Sequence, residues 1–316
     1  MEGLRRRASP GLREARQGQG SDTVSSTVAI VTVSFNSGKY LDDFLASAAR
    51  ASSPAAATPA DSVSAPIIVV ADNDSRDPDA ARRSTEAVGG VFLELGSNDG
   101  YGSAINRAVE TLPRAVDWIL ISNPDVIVGE GAVDTLLEVA LSGDRVGAVG
   151  PGILELDGQF YPSARRVPSL RTGLGHALFA NVWKSNPWSR SYRSDGDHEN
   201  RREAGWLSGA CLLVRRSLFD SLGGFDEGYF MYFEDVDLGY RIGKAGFTNV
   251  YEPRARVTHV GAHSTRESSD LMRRAHHRSA YRFLASKYRA WYLAPLRWAL
   301  RVGLGIRARI HGRPTP

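Results

Sequence analysis

The chain has 316 residues, 42% of them hydrophobic and 23% charged, which suits a globular protein with one large domain or two small ones. Its net charge of +4 is unevenly spread: residues 271–316 carry eleven Arg or Lys and no Asp or Glu, so the remainder is net acidic. No stretch offers the roughly 18 uncharged apolar residues of a membrane span, and no apolar run follows the N-terminal arginines as a secretory signal would require. The single cysteine, Cys211, lies in an apolar run and cannot form an internal disulfide, which fits a small buried hydrophobe in a reducing, cytoplasmic setting.

In chain order, residues 1–26 are rich in Arg, Gly, Ser and Gln without periodicity and are expected to form a disordered leader. Val28 to Phe35 reads as a strand, Asn36-Ser37-Gly38 as a turn, and Tyr40, Leu41, Phe44, Leu45 and Ala48 as the buried face of a helix. Ala51 to Ala65 is an Ala/Ser/Pro loop. The unit repeats as strand Ile67 to Ala71 with a helix from Asp79, then as strand Val91 to Leu95 with a helix from Tyr101 to Leu112. A fourth strand, Trp118 to Ser122, ends at Asn123-Pro124-Asp125 and leads to a helix from about Gly131 to Leu141. Strands alternating with helices imply an α/β fold whose mostly parallel sheet is flanked by helices. Tyr161 to Arg202, rich in Trp, Pro, Arg and Ser, interrupts the alternation as an acceptor-side insertion. Strand Gly209 to Val214, a turn at Gly223-Gly224, a helix from Glu234 to Ala245 and strand Asn249 to Tyr251 close the domain.

Polar residues stand at the carboxyl ends of successive strands, the edge where open α/β sheets bind ligands. Asp72 can accept a hydrogen bond from the imide N–H of a pyrimidine, and it can equally form an Asx turn. Asp125 is held on a proline-stiffened turn, suited to one ligand of a hard divalent cation or to helix capping. Glu234, Asp235 and Asp237 crowd the first turn of a helix, where the macrodipole favours acids. Three in four positions exceeds what capping needs. Leu238 and Ile242 mark the buried face, so Glu234 or Asp235 is the candidate general base. His259 has an imidazole available to the same metal or to a structural contact.

Together these residues resemble the family 2 glycosyltransferases of the GT-A fold, in which a mixed, mostly parallel sheet is flanked by helices. The likeness runs from Val28 to Ser264 through Ser34-Phe35-Asn36-Ser37, Val70-Ala71-Asp72-Asn73-Asp74-Ser75, Asn98-Asp99-Gly100-Tyr101-Gly102, Asn123-Pro124-Asp125, Trp206-Leu207-Ser208-Gly209-Ala210, Gly223-Gly224-Phe225-Asp226-Glu227 and Glu234-Asp235-Val236-Asp237-Leu238. The resemblance implies a catalytic domain over 27–265, with a nucleotide-sugar half at 27–125 and an acceptor half at 150–265. It implies nucleotide-sugar contacts from Ser34, Asn36, Asp72, Asn98, Gly100, Asn106, Asn123 and Asp125, with Asp125 the last acid of a metal-binding motif whose first acid is here Asn123. It further implies Asp235 as base with Glu234 beside it, Asp125 and His259 on Mg2+ or Mn2+, and Trp206 flanking the acceptor sugar. The Gln-x-x-Arg-Trp motif of processive synthases is absent, which implies a single addition.

A closer likeness is to the WbbL-type rhamnosyltransferases, carried by Tyr161-Pro162-Ser163-Ala164-Arg165, Asn186-Pro187-Trp188 and Tyr229-Phe230-Met231-Tyr232. It implies inverting transfer from dTDP-L-rhamnose to N-acetylglucosaminyl-diphosphoryl-polyprenol in assembly of the cell-wall arabinogalactan linkage unit. Arg165, Arg166 and Arg171 would pair with the acceptor's diphosphate. Residues 266–316 are then expected to be a basic amphipathic helical tail, lying on anionic lipid at the inner face of the plasma membrane rather than on nucleic acid. A helix packed on the domain is the competing reading of that tail. Another nucleotide sugar and lipid-linked acceptor, or a non-catalytic sugar-nucleotide-binding scaffold, are the competing functions.

Overall fold

The computed structural model describes residues 26–51, 67–169, 197–261 and 269–310. The expected leader, nearly all of the Ala51 to Ala65 loop, Arg171 and Asn186-Pro187-Trp188 lie outside these.

The first half follows the alternation in the sequence: β1 (Val28–Ser34), α1 (Lys39–Ala51), β2 (Ile67–Asp72), α2 (Pro78–Ala87), β3 (Val91–Glu94), α3 (Tyr101–Glu110), β4 (Trp118–Ser122), β5 (Val126–Val128) and α4 (Ala132–Leu141). The second half holds β6 (Val146–Leu154), β7 (Phe160–Tyr161), β8 (Ala164–Arg165), β9 (Arg202–Ala204), β10 (Trp206–Leu207), β11 (Cys211–Arg215), α5 (Arg216–Ser221), α6 (Glu234–Lys244) and β12 (Thr248–His259). Among the described residues the main sheet has the order β3-β2-β1-β4-β11-β6-β12-β5, with β7 beside β6 and β9 beside β12. Strands β3, β2, β1 and β4 are parallel, whereas β11 runs against both β4 and β6, so the sheet is mixed.

Central strands are apolar on both faces because both are covered. Ile30 and Leu120 pack under Leu41, Phe44 and Leu45 of α1 and Leu136 of α4. The alternate residues Ala29, Val31 and Ile121 pack under Ile105 of α3, Phe219 of α5, and Leu238 and Ile242 of α6. This period of two is why β1 and β4 read as continuous hydrophobic runs rather than alternating ones.

The short strands β5, β7, β8, β9 and β10 were not read from the sequence, and two long strands also go beyond that reading. β6 was not expected, since Gly147, Gly150, Pro151 and Gly152 interrupt its apolar pattern. The glycines give room: a Cβ at Gly147 would stand 2.7 Å from Leu218 Cδ2, and one at Gly150 2.8 Å from Leu207 Cδ2. β12 extends past the expected Asn249 to Tyr251 to 12 residues, carrying Pro253 within a register irregularity between Glu252 and Arg256. That irregularity accommodates a residue that cannot donate to the ladder.

The expected tail divides in two. Its first helix, α7 (Ser269–Lys287), docks on the catalytic domain, with Phe283 only 1% exposed against Tyr229 and Val236. Helix α7 therefore packs against residues that precede position 266. A short 3-10 turn at Trp291–Leu293, with Trp291 and Tyr292 exposed, then leads to α8 (Ala294–Ile310), where Trp298 is exposed. Among the described residues no helix is long and apolar enough to cross a membrane.

Candidate active site

The parallel strands end along one edge and deliver the polar residues there. Ser34 ends β1 beside Asp72, which ends β2. Asp72 is 1% exposed: one carboxylate oxygen accepts the Ser75 N–H at 2.9 Å, and Oδ1 is buried without a partner. The Asx-turn reading is thus satisfied by one oxygen and leaves the other. The loops after β1 and β2 are tied together, because the Asn36 N–H donates to Ser75 Oγ at 2.8 Å and the Arg76 N–H to Asn36 Oδ1 at 2.9 Å. Asn98 Oδ1 accepts from Asn73 Nδ2 at 2.9 Å and from the Gly100 N–H at 3.2 Å. Gly100 has φ 100°, and a Cβ there would run into the Phe230 carbonyl, so only glycine fits this turn.

Asp125 lies between β4 and β5, and His259 ends β12. The antiparallel pairing of His259 with Val126 brings His259 Nε2 to 3.1 Å from Asp125 Oδ1 across 134 positions of sequence. The side chains are 23% and 21% exposed, and the Val260 N–H fixes the Asp125 backbone through its carbonyl at 2.9 Å. The adjoining Asn123 N–H donates to the Ala210 carbonyl at 2.9 Å.

That same loop reaches the acids of α6. The Gly209 N–H donates to Asp235 Oδ2 at 3.0 Å, the Val236 N–H donates to Asp235 Oδ1 at 2.8 Å, and the Tyr101 hydroxyl donates to the Gly209 carbonyl at 3.0 Å. The Gly209 peptide therefore links α3 to Asp235. Burial pushes the Asp235 carboxyl above the usual range, opposed by those N–H donors and by Arg165. Glu234 is buried with Oε2 unpartnered, and desolvation followed by the Asp235 charge pushes its carboxyl up to about 8. Burial thus pushes both carboxyls up, while the Gly209 and Val236 N–H donors favour the charged form of Asp235 and Glu234 Oε2 has no such donor. Tyr101 is pushed well above its ordinary value by burial, then by Glu234 and Asp235. Asp237 is engaged elsewhere, pairing with Arg241 at 2.6 Å.

Several expected contacts are redirected. Asn106 holds the loop after α5: its Nδ2 donates to the Phe225 carbonyl at 2.9 Å and to Glu227 Oε1 at 3.1 Å, and its Oδ1 accepts the Phe225 N–H at 2.9 Å. Its amide is spent on loop backbone rather than offered to a nucleotide sugar. Trp206 donates its indole N–H to the Arg166 carbonyl at 3.2 Å and stands with its Cβ against Gly239 of α6. Arg165 Nε donates to the Pro162 carbonyl at 3.0 Å, and Arg166 is exposed. The sequence reading passed over Tyr101 and Gly209 as site residues. Both stand in quoted motifs, but only the fold shows that they meet.

Acids at the carboxyl edge of a mixed α/β sheet, a carboxylate–imidazole pair at Asp125 and His259, and a separate acid pair at Glu234 and Asp235 fit a transferase of the GT-A class. Residues 26–282 match the family described as glycosyltransferase like family 2, so the chain belongs to glycosyltransferase family 2. It is 43% identical over 303 residues, 92% of this chain and 95% of the relative, to the N-acetylglucosaminyl-diphospho-decaprenol L-rhamnosyltransferase of Mycobacterium tuberculosis. It is 29% identical to rhamnosyltransferase WbbL of Escherichia coli strain K12, over 70% of this chain and 82% of that one. Among solved structures, a mannosyltransferase from Pyrobaculum calidifontis in complex with GDP-Man and Mn2+ matches at TM-score 0.56 and 17% identity, covering 92% of this chain and 77% of that one. GalNAc-T7 with UDP, GalNAc and Mn2+ matches at TM-score 0.53 and 17% identity, over 76% of this chain and 45% of that one. These two likenesses concern the fold.

Proposed function

We propose that this glycosyltransferase moves L-rhamnose from dTDP-L-rhamnose onto a hydroxyl of N-acetylglucosaminyl-diphospho-polyprenol, with inversion at the reacting carbon, in cell-wall assembly. The near-full-length likeness to the mycobacterial enzyme, whose name states that acceptor, carries the reading. The unpartnered Oδ1 of Asp72 supports a contact to the thymine imide N–H, since a buried carboxylate oxygen without a donor is costly in the absence of a ligand. In this reading Ser34, Asn36, Asn98, Gly100 and Asn123 shape the donor pocket, and Arg165 and Arg166 pair with the acceptor diphosphate.

Asp125 and His259 offer one carboxylate and one imidazole, and no cluster of three or more His, Cys, Asp or Glu suited to a metal occurs among the described residues. This donor set fits a divalent cation that takes its other ligands from diphosphate and water, and the nitrogen ligand suits Mn2+ better than Mg2+. Bound there, the ion would neutralise charge on the departing diphosphate. Asp235 takes the proton of the attacking hydroxyl, with its carboxylate aimed by the Gly209 and Val236 N–H groups. Glu234 Oε2 has no such donor.

The reading is tested by offering the full chain several nucleotide sugars and measuring nucleoside diphosphate release. Turnover should be fastest with dTDP-L-rhamnose. A clear preference for another donor would retain the family and overturn the sugar.

The exposed Trp291, Tyr292 and Trp298, set in a segment without acids, support seating at the cytoplasmic membrane face, because such rings favour the headgroup layer and the arginines favour anionic lipid. Full-length protein should bind vesicles containing phosphatidylglycerol in a salt-sensitive way. Trp291→Ser with Trp298→Ser should release it while leaving turnover of a short soluble acceptor intact. Equal loss on both would make α8 part of the folded domain instead.

A further inference from the structure

The first helix of the basic C-terminal region makes contacts for which seating on a membrane gives no reason. α7 lies along the segment that delivers the chain to Glu234 and Asp235. Arg282 forms a forked pair with Asp226, its Nη2 donating to the two carboxylate oxygens at 2.7 and 2.9 Å and its Nε to Oδ2 at 3.1 Å. Asp226 also accepts the Gly228 N–H at 2.9 Å, and the Arg282 guanidinium stands 5.3 Å from the Tyr229 ring centre. One turn back, the Ser279 hydroxyl donates to the Met231 carbonyl at 2.8 Å. A further turn back, the His276 ring meets Tyr232 edge-on at 5.6 Å and Phe233 at 5.3 Å. His276, Ser279 and Arg282 recur every three residues, so one helix face follows the segment almost residue by residue.

These contacts fall where the backbone is least able to hold itself. Tyr232 and Phe233 are consecutive left-handed residues, with φ 66° and 70°. Each such residue costs roughly 1–3 kcal/mol and persists only where its surroundings over-determine it. Phe233 is the N-cap of α6 and makes no side-chain capping bond. The two residues set the direction in which α6 starts, and therefore whether the Asp235 carboxylate meets the Gly209 N–H.

We propose that α7 is a strut of the catalytic apparatus, with His276, Ser279 and Arg282 as positioning residues that hold the Tyr232–Phe233 turn and through it the carboxylates of Glu234 and Asp235. The proposal rests on the reading of Asp235 as the proton acceptor. It gives the C-terminal region a second role, distinct from lipid binding by α8.

The Arg282 and Asp226 side chains are 45% and 35% exposed. A pair this open adds little to global stability, so its removal should show in turnover rather than in unfolding. The test uses the full chain with a short soluble acceptor, which takes vesicle binding out of the measurement. Arg282→Ala should lower kcat by about 10- to 100-fold, the scale of a slight misplacement of a reacting group, with donor KM and the thermal midpoint nearly unchanged. The reversed pair, Asp226→Arg with Arg282→Asp, should recover a substantial part of the loss. Asp235→Asn is run alongside. If it is inactive while Arg282→Ala has normal kcat, the strut is overturned and the base stands. If Asp235→Asn turns over normally, the base reading falls and the strut with it. A loss of kcat that tracks a lowered midpoint and is not recovered by the reversed pair would reduce α7 to ordinary scaffolding and overturn the proposal.

Discussion

Asp235→Asn is expected to lower kcat by roughly 10²- to 10⁴-fold, the usual worth of a general base, with donor affinity barely changed. Asparagine keeps the size of the side chain and can still accept from the Gly209 or Val236 N–H, so the loop and helix start should stay in register. What is lost is the ability to take a proton. Only the ionised carboxylate can do so, and burial pushes its pKa up, so wild-type activity should fall with decreasing pH at values above those of an ordinary Asp. The limb belongs to the Glu234–Asp235 pair as a unit. Glu234→Gln should keep most of the activity near pH 7, because a neutral amide replaces a carboxyl that burial pushes up to about 8. Steady-state kinetics over a pH series checks all three. Near-normal turnover for Asp235→Asn with a dead Glu234→Gln would move the base by one residue; two active variants would leave these acids as helix caps.

Asp125→Asn and His259→Ala should damage the other side of the reacting carbon. Both should weaken metal-dependent donor binding, and Asp125→Asn should also slow diphosphate departure by about 10²-fold or more, since charge growing on the leaving group loses its compensation. Excess Mn2+ should restore part of the activity of each, because the surviving member of the 3.1 Å pair still offers a ligand. It should do nothing for Asp235→Asn. Titration calorimetry with Mn2+ and dTDP separates binding from chemistry. Unchanged metal affinity in His259→Ala would leave the imidazole as a structural partner of Asp125.

These two sets of acids were not equally legible. Asp72 and Asp125 follow apolar runs buried on both faces, and such runs end where a parallel sheet meets its ligand edge, so their placement could be read from periodicity alone. Asp235 was legible only as one of a crowd. Its distinction from Glu234 depends on Gly209, whose N–H it accepts and which sits in a different strand connection. Asn106 shows the opposite error: it stands in the right helix, yet its amide is consumed by a loop more than a hundred residues away.

Local chemistry written in the sequence determined the alternating β/α order, the carboxyl-edge acids, the buried Cys211 and the basic, acid-free C-terminal region, because periodicity, turn residues and charge act between neighbours along the chain. Only the tertiary structure decided that β6 and β12 are long strands, since their glycines and Pro253 are explained by side chains and a register irregularity contributed from elsewhere. It alone decided that Tyr101 and Asp235 share the Gly209 peptide, that Asn106 is held by the loop after α5, and that α7 packs on the domain while Trp291 and Trp298 stay exposed. Each of those contacts spans tens to more than a hundred residues, and no short-range pattern encodes a pairing made by loop closure across a sheet.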